Sequence, residues 1–97
     1  MDRLFQIIDK TGRKIYLPSK TWSHITRKHP YIADYLEEIK ETIQKPDKIT
    51  DLSLDEDVRY YYKYYKTKNP PKYLLTIVKY LNGAGFIISA YFTSHIK

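Results

Sequence analysis

The alternation of apolar and polar residues is clearest in the last third of the chain, where it predicts a long β-hairpin. Two apolar, β-rich runs flank Asn82-Gly83, a dipeptide that readily takes positive φ at both centres of a type I′ turn. A two-residue turn at this point pairs Ile77 with Ile88 and predicts one apolar face and one face with hydroxyls. The predicted apolar face comprises Tyr73, Leu75, Ile77, Phe86, Ile88, Ala90 and Phe92, and the other face comprises Leu74, Thr76, Ser89, Tyr91 and Thr93.

A tyrosine-rich run at residues 58–66 predicts a further strand that pairs with the first strand of this hairpin. Because side chains alternate along a strand, its residues divide between two faces. Pairing of Tyr65 with Lys72 would direct Val58, Tyr60, Tyr62 and Tyr64 into the core. Arg59, Tyr61, Lys63 and Tyr65 would then join the hydroxyl face, which becomes a basic and aromatic surface.

Shorter patterns precede this region. Residues 4–8 and 14–17 predict two strands around a turn in which Gly12 takes a left-handed conformation. Ser19 is a good N-cap for a helix that runs through Lys28 and is stopped by Pro30.

A second helix is predicted over residues 31–44, with an apolar stripe of Ile32, Leu36, Ile39 and Ile43. The predicted fold is therefore α+β, with two N-terminal helices packed on a roughly four-stranded antiparallel sheet and a short N-terminal hairpin at its edge. A single domain is expected to span residues 1–97. The predicted core comprises Trp22, Ile25, Leu36, Ile39, Ile43, Leu75, Ile77, Phe86, Ile88 and Phe92.

The charge distribution narrows the possible partners. The net charge is +6, but residues 1–57 contain ten Lys or Arg and all eleven Asp or Glu. Residues 58–97 contain seven Lys or Arg and no acidic residue. A segment of one charge sign attracts polyanions, and interleaved aromatic residues favour nucleic acid over a merely solubilising surface.

Composition also excludes several classes of function. The chain has no cysteine, which excludes disulfides, a thiol nucleophile and thiolate zinc sites. No apolar run approaches the roughly 20 residues that span a bilayer, so a cytoplasmic protein without a membrane partner is expected. His24 and His29 lie five residues apart, about 140° around a helix, and therefore cannot form an i, i+4 metal pair. No metal or other cofactor is expected.

Histidine is suited to acid–base chemistry because its unperturbed pKa is about 6.5. RNA can be cleaved without a metal if a base removes the 2′-OH proton, a cation stabilises the phosphorane, and an acid protonates the leaving oxygen. His24, His29, Arg59, Tyr91 and Thr93 would meet these needs. The alternative for each histidine is a partly buried, hydrogen-bonding role in the structure.

The order of motifs resembles a phage-associated family of barnase–EndoU–colicin–RelE-like (BECR fold) nucleases. The resemblance rests on W-S-H-I-T-R-K-H-P, L-E-E-I-K-E-T-I-Q-K-P-D-K-I, V-R-Y-Y-Y-K, I-V-K-Y and F-I-I-S-A-Y-F-T-S, and it covers residues 19–97. It implies two helices followed by a four-stranded antiparallel sheet and metal-independent ribonuclease activity. Members of this family often act as toxins or as processing or defence nucleases.

The resemblance also points to particular residues. It implies catalytic roles for His24, His29, Arg59, Tyr91 and Thr93, with Ser89-Ala90-Tyr91 standing where relatives often carry Thr-Ala-Tyr. The expected RNA-binding residues are Lys28, Tyr61, Lys63, Tyr65 and Ser89. Two alternatives are a non-catalytic RNA-binding module and a small interaction domain whose basic face meets an acidic partner, such as an antitoxin or inhibitor.

Overall fold

The chain forms a six-stranded mixed sheet with helices packed on one face. A computed structural model describes residues 3–51, 57–66 and 72–96. The strands lie in the order β1-β2-β6-β5-β4-β3. In chain order, the elements are β1 (Arg3–Ile8), β2 (Lys14–Pro18), α1 (Ser19–Lys28), a 3₁₀ helix (Pro30–Tyr35), α2 (Leu36–Gln44), β3 (Lys48–Thr50), β4 (Val58–Tyr65), β5 (Lys72–Leu81) and β6 (Ala84–Thr93).

The predicted α+β class is correct, but the predicted four-stranded antiparallel sheet is wrong. The N-terminal hairpin belongs to the main sheet because β2 runs parallel to β6, with Ile15 opposite Gly85 and Tyr16 opposite Phe86. A Cβ atom at Gly85 would lie 2.5 Å from Cδ1 of Ile15 and 2.8 Å from Cγ1 of Val78, so any larger residue would have to displace these buried side chains. β3 adds a sixth strand by antiparallel pairing with β4.

The local signals in the sequence are largely confirmed. Asn82 and Gly83 have φ of 54° and 84°, as a type I′ turn requires, and Gly12 has φ of 89°. α1 has the predicted extent, but its N-cap is Pro18, and Ser19 is its first residue. The predicted second helix is divided, since its first five residues belong to the 3₁₀ helix, which begins at Pro30, and only Leu36–Gln44 is α-helical.

A β-bulge changes the register of the long hairpin. Near the turn the predicted pairing is correct, and Val78 lies opposite Ile87. The register then shifts at Ile88, so that Ile77 pairs with Ser89. The predicted pairing of Ile77 with Ile88 is therefore wrong, and Ile88 is 43% exposed.

The two faces of the sheet have different surroundings. We call the side that packs on α1 and α2 the helix-covered face and the opposite side the open face. Arg59, Tyr61, Lys63 and Tyr65 lie on the helix-covered face, the reverse of the prediction. Their pairing with β5 is as predicted, but the β5 set that includes Leu74 and Thr76 faces the helices. The buried core comprises Phe5, Ile15, Leu17, Ile25, Ile32, Ile39, Ile43, Tyr61, Leu74, Val78, Tyr80, Ile87 and Ala90.

The predicted core is therefore only partly correct. Ile25, Ile39 and Ile43 are buried in it, and Trp22, Leu36 and Phe92 pack against it. Leu75 is buried, but it lies on the open face with Ile77, in the alternating positions opposite Tyr62 and Tyr60. Phe86 contacts Tyr16 at the β2–β6 pairing, with ring centroids 5.4 Å apart.

Candidate active site

On the edge away from β5, the second half of β6 has helices beside it instead of a strand. β2 pairs with β6 only at Gly85 and Phe86, and the chain then turns into α1. Farther along, the N–H of Phe92 donates to the Tyr31 hydroxyl at 3.4 Å. α1 and the 3₁₀ helix thus follow the edge of β6 and bring their side chains to the border of the open face.

His29 lies at this border. It is the C-cap of α1, where Pro30 ends the helix, and its N–H donates to the Ile25 carbonyl at 2.8 Å. The imidazole stacks on the ring of Tyr91, with centroids 5.2 Å apart and planes inclined by 27°. It also meets the Tyr31 ring edge-on at 6.0 Å. The backbone at the end of α1 therefore carries the imidazole around the sheet edge.

His24 lies on the same side of β6, one to two turns earlier in α1. Its side chain is exposed and lines a cleft of about 300 Å³ with Lys20, Thr21 and Ile88. Ile88 is exposed because of the bulge, and its side chain forms the β6 wall of this cleft. Both histidines are thus placed along one edge of β6, and the cleft carries a lysine as well.

The open face beyond these histidines is organised as three rows across β6, β5 and β4. Each row begins with a hydroxyl-bearing residue of β6 and ends with a tyrosine of β4. The rows are Ser89–Ile77–Tyr60, Tyr91–Leu75–Tyr62 and Thr93–Tyr73–Tyr64. Tyr73 packs against Tyr62 and Tyr64, with centroid separations of 6.3 and 5.1 Å. The β4 tyrosines predicted for the core therefore lie on the open face, where Tyr62 is nevertheless fully buried and Tyr64 is exposed.

The charge of the sheet has one sign. The six strands contain seven Lys or Arg and no Asp or Glu. On the open face, Lys79 lies opposite Phe86 and Lys48 lies opposite Tyr62. Arg3 sits over the ring of Tyr16 on the same side, with its guanidinium carbon 4.1 Å from the centroid. A surface of tyrosines and cations without strand carboxylates favours phosphate-bearing ligands.

Four of the predicted site residues are held on the other side of the sheet. Arg59 lies over the ring of Tyr80, with its guanidinium carbon 5.5 Å from the centroid, and is not brought to His29. Lys63 donates from Nζ to the Lys45 carbonyl at 3.1 Å. The remaining two are tyrosines in polar contacts: Tyr65 donates to Oε1 of Glu41 at 2.6 Å, and the fully buried Tyr61 donates to Oδ2 of Asp9 at 2.5 Å.

The contact between Tyr61 and Asp9 belongs to a buried polar cluster. The hydroxyls of Tyr61 and Tyr80 hydrogen-bond to each other, and Asp9 also accepts from the backbone N–H groups of Thr11 and Arg13. Burial alone would raise the pKa of Asp9, but the hydrogen bonds from Tyr61, Arg13 and Thr11 more than offset it, so the pKa is lowered. Burial, with the bond to Asp9, raises the pKa of Tyr61. This cluster therefore fixes the β1–β2 turn against β4 and β5.

The other predicted residues remain accessible. Lys28 is exposed in the last turn of α1, next to His29, and Ser89 is half-buried on β6. Thr93 lies near the end of β6, with its Oγ1 3.4 Å from the His95 carbonyl. The fold therefore brings His29 against Tyr91 and His24 beside Ile88, along the edge of β6 whose open face carries Ser89, Tyr91 and Thr93.

The geometry also adds residues that sequence patterns did not indicate. Tyr31 contacts both His29 and Phe92, while Lys20 and Thr21 accompany His24 in the cleft. The one related signal in the sequence was Pro30, which stops α1 just before Tyr31 and so indicates a change of chain direction at this segment. The pairing of helix residues with β6 depends on tertiary contacts and leaves no periodic signal.

The described residues provide no evident metal or membrane feature. Among them, no three His, Asp or Glu side chains are grouped as metal ligands. Within the same ranges, no helix has the length and apolar character needed to cross a membrane.

These features define an α+β protein whose open sheet face is cationic and tyrosine-rich, with histidines along one edge. The chain belongs to the family described as phage-Barnase-EndoU-ColicinE5/D-RelE like nuclease2, which matches residues 2–97. The resemblance drawn from the motifs is thus confirmed, and membership indicates nuclease activity on a nucleic-acid substrate. Comparisons with curated proteins and with solved structures found no match.

Proposed function

We propose that this protein is a metal-independent endoribonuclease whose active site lies along the β6 edge of the open face. The observation that carries the proposal is the stacking of His29 on Tyr91, 5.2 Å between centroids, at the border of a cationic face. An imidazole held there can exchange a proton with a phosphodiester that lies across the sheet. Family membership supports the nuclease class of this reaction.

The proposed reaction needs only a 2′-OH, two proton carriers and a cation. One histidine accepts the 2′-OH proton, and the 2′-oxygen attacks the adjacent phosphorus. The bond from phosphorus to the 5′-oxygen breaks, and a protonated group supplies the proton to that oxygen, which leaves a 2′,3′-cyclic phosphate. His29 serves as one proton carrier and His24 as the other, while the hydroxyls of Ser89, Tyr91 and Thr93 orient the phosphate.

Binding of the RNA strand is assigned to the surrounding cations and tyrosines. Lys28 and Lys20 lie beside the two histidines on α1 and take the phosphate-stabilising role that the sequence suggested for Arg59. Unpaired bases can stack on aromatic rings of the open face, where Tyr64 is 46% exposed. An acidic inhibitor or antitoxin would compete for this same face.

The experiment is incubation of the purified protein with single-stranded RNA in EDTA. We expect products with 2′,3′-cyclic phosphate ends, and we expect resistance of a substrate with one 2′-deoxy nucleotide at the cleavage position. Intact RNA in a stable complex would instead identify a binding module. Absence of any RNA affinity would favour an interaction domain, and cleavage of the deoxy substrate would refute attack by the 2′-OH.

A further inference from the structure

Arg13 and Arg59 lie together on the helix-covered face and take no part in the proposed chemistry. Their guanidinium carbons are 4.8 and 5.5 Å from the centroid of the Tyr80 ring, so the two carbons are no farther apart than the sum of these distances. That separation is comparable to the screening length of about 8–10 Å near physiological salt, so the two charges repel each other. Arg13 lies in the connection between β1 and β2, and Arg59 lies in β4. The fold therefore brings two distant cations to one ring.

The buried Asp9 carboxylate does not pair with either guanidinium, although its Oδ2 lies 3.5 Å from the Tyr80 hydroxyl. It accepts from the N–H and the hydroxyl of Thr11, from the N–H of Arg13 and from the hydroxyl of Tyr61. An ionised carboxylate has about four lone-pair sites, so these four donors occupy them. Over residues 3–51, 57–66 and 72–96, neither guanidinium forms an ion pair. Their N–H donors therefore remain available to a ligand.

Charge and geometry at Tyr80 favour a phosphodiester group as that ligand. The two guanidiniums and the Asp9 carboxylate together carry one net positive charge, which a phosphodiester with its single negative charge balances. Each guanidinium presents N–H donors in a planar fork that matches the spacing of phosphate oxygens. The Tyr80 ring is only 8% exposed, so it supports the two arginines and is not available to stack on a base. The ligand is therefore a backbone phosphate and not a nucleobase.

We propose that Arg13 and Arg59, the arginine site, bind one phosphodiester of the substrate strand at a distance from the active site. Tyr80 lies opposite Gly85, which is six residues before Tyr91 in β6, a distance of about 20 Å along a strand. The arginine site is also on the opposite face of the sheet, so a bound strand must pass around the end of the sheet to occupy both sites. This inference rests on the proposed function, because the strand it binds is the RNA that His29 acts upon.

The direct test is binding of a long, labelled single-stranded RNA whose riboses are all 2′-O-methylated, so that it cannot be cleaved by 2′-OH attack. Fluorescence anisotropy at several salt concentrations compares wild type with Arg13→Gln, Arg59→Gln and the double variant. Each single variant should lose about tenfold in affinity, as expected for a hydrogen bond to a charged group. Because both arginines contact one phosphate, the double variant should lose little more than either single variant. Its slope of log K against log salt should fall by about 0.7.

The matched control is Lys40→Gln/Lys45→Gln, which removes two cations from α2 and its C-cap, and urea denaturation shows that all variants are folded. Arginine variants that bind RNA as the control does would overturn the proposal. Additive losses, with a slope reduced by about 1.4, would overturn the shared site and indicate two separate phosphates. Inorganic phosphate at constant ionic strength tests the other source of this chemistry. If it shifts the Nε–H NMR signals of Arg13 and Arg59 as strongly as the RNA does, the assignment to a nucleic-acid strand is wrong.

Cleavage of unmodified RNA of two lengths separates this inference from the proposed function. With a long RNA, we expect Arg13→Gln/Arg59→Gln to raise KM about tenfold and to leave kcat unchanged. With a trinucleotide, which is too short to reach both sites, the variant and wild type should have the same kcat/KM. A wild-type KM for the long RNA in the variant would refute the arginine site and leave the ribonuclease intact. Weaker RNA binding by the variant, with no cleavage by any form of the protein, would refute the ribonuclease and leave the arginine site intact.

Discussion

The imidazole of His29 and the ring of Tyr91 lie 5.2 Å apart between centroids, stacked at an angle of 27°. His29 is fixed by the end of α1, and Tyr91 is fixed by its place in β6 opposite Leu75. Two elements that are distant in the sequence thus contribute to one potential reaction centre. The contact can be tested by replacing either residue, because neither ring belongs to the buried core.

Removal of the imidazole is the first prediction. General acid–base catalysis typically contributes about 10²–10⁴-fold, so His29→Ala should lower RNA cleavage by about that factor. The control is His95→Ala, an exposed histidine beyond β6, which should leave the rate unchanged. Cleavage rates should be compared after circular dichroism has shown that both variants are folded. An undiminished rate in folded His29→Ala would show that the site lies elsewhere.

Tyr91 offers a way to separate stacking from hydroxyl chemistry. Tyr91→Phe keeps the ring against His29 but removes the hydroxyl, whereas Tyr91→Leu removes both. Hydrogen bonds to charged groups are worth about 1.5–3 kcal/mol, so Tyr91→Phe should lower cleavage by about 10–100-fold with RNA affinity retained. Tyr91→Leu should lower it further. Equal rates for wild type and Tyr91→Phe, measured at saturating RNA, would assign the residue a stacking role only.

Phosphate binding next to His29 should appear in the salt dependence of RNA affinity. Lys28 is exposed in the last turn of α1, and its replacement by Ala should reduce the slope of log K against log salt by about 0.7. Lys40→Ala is the control, since Lys40 is paired with Glu37 at 3.2 Å on α2. Fluorescence anisotropy with a labelled RNA at several salt concentrations gives both slopes. Identical slopes for the two variants would contradict binding of a phosphate at Lys28.

The bulge in β6 predicts a large difference between two adjacent isoleucines. Ile87 is fully buried on the helix-covered face, whereas Ile88 is 43% exposed beside α1. Ile87→Ala should lower the free energy of unfolding by about 2–5 kcal/mol, and Ile88→Ala should lower it by less than about 1.5 kcal/mol. Urea denaturation measures both values. A larger loss for Ile88→Ala would show that the register of the hairpin is different.

The buried Asp9 carboxylate predicts a loss of stability in acid. Hydrogen bonds from Tyr61, Arg13 and Thr11 outweigh burial and lower its pKa from the ordinary value of 3.8 in the folded state. The charged carboxylate therefore stabilises the fold above about pH 4, and this contribution is lost as the pH falls through the lowered pKa.

Replacement of this carboxylate should remove that part of the pH dependence. Asp9→Asn should be less stable than wild type at pH 7, and its unfolding free energy should fall less steeply with acidification below pH 4. Asp51→Asn serves as the control and should keep the wild-type slope. Thermal unfolding across a pH series gives the comparison, and equal slopes for Asp9→Asn and wild type would refute the assigned shift.

Much of the local structure follows from the sequence alone. The Asn82-Gly83 turn, the left-handed Gly12 and the extent of α1 are confirmed because each depends on the conformational preferences of neighbouring residues. The tyrosine-rich strand and its pairing of Tyr65 with Lys72 are confirmed for the same reason. The motif order was also sufficient to indicate the nuclease family.

The tertiary structure decided which face of each strand meets the helices. Both alternating sets of the β5–β6 hairpin are largely apolar, so no local signal shows that the set of Leu74, Thr76 and Val78 faces the helices. The extra residue at Ile88 then leaves Ala90 and Phe92 on the helix-covered face, as predicted, although the β5 residues opposite them are the reverse of the prediction. The same applies to β4, where tyrosines occupy both faces: Tyr61 is buried by its bonds to Asp9 and Tyr80, and Tyr64 is exposed. Amphipathic tyrosine fits either environment, and only the partners across the sheet select one.

The sequence therefore determined the elements and the family, whereas the candidate site required the assembled fold. The parallel pairing of β2 with β6 positions α1 beside the sheet edge, and this pairing joins Ile15 to Gly85 across most of the chain. It brings His29 to Tyr91 and leaves Arg59 on the opposite face. Sequence patterns predict which residues are neighbours within one helix or strand. The contact between α1 and β6 instead depends on long-range packing, which no single segment of the sequence determines.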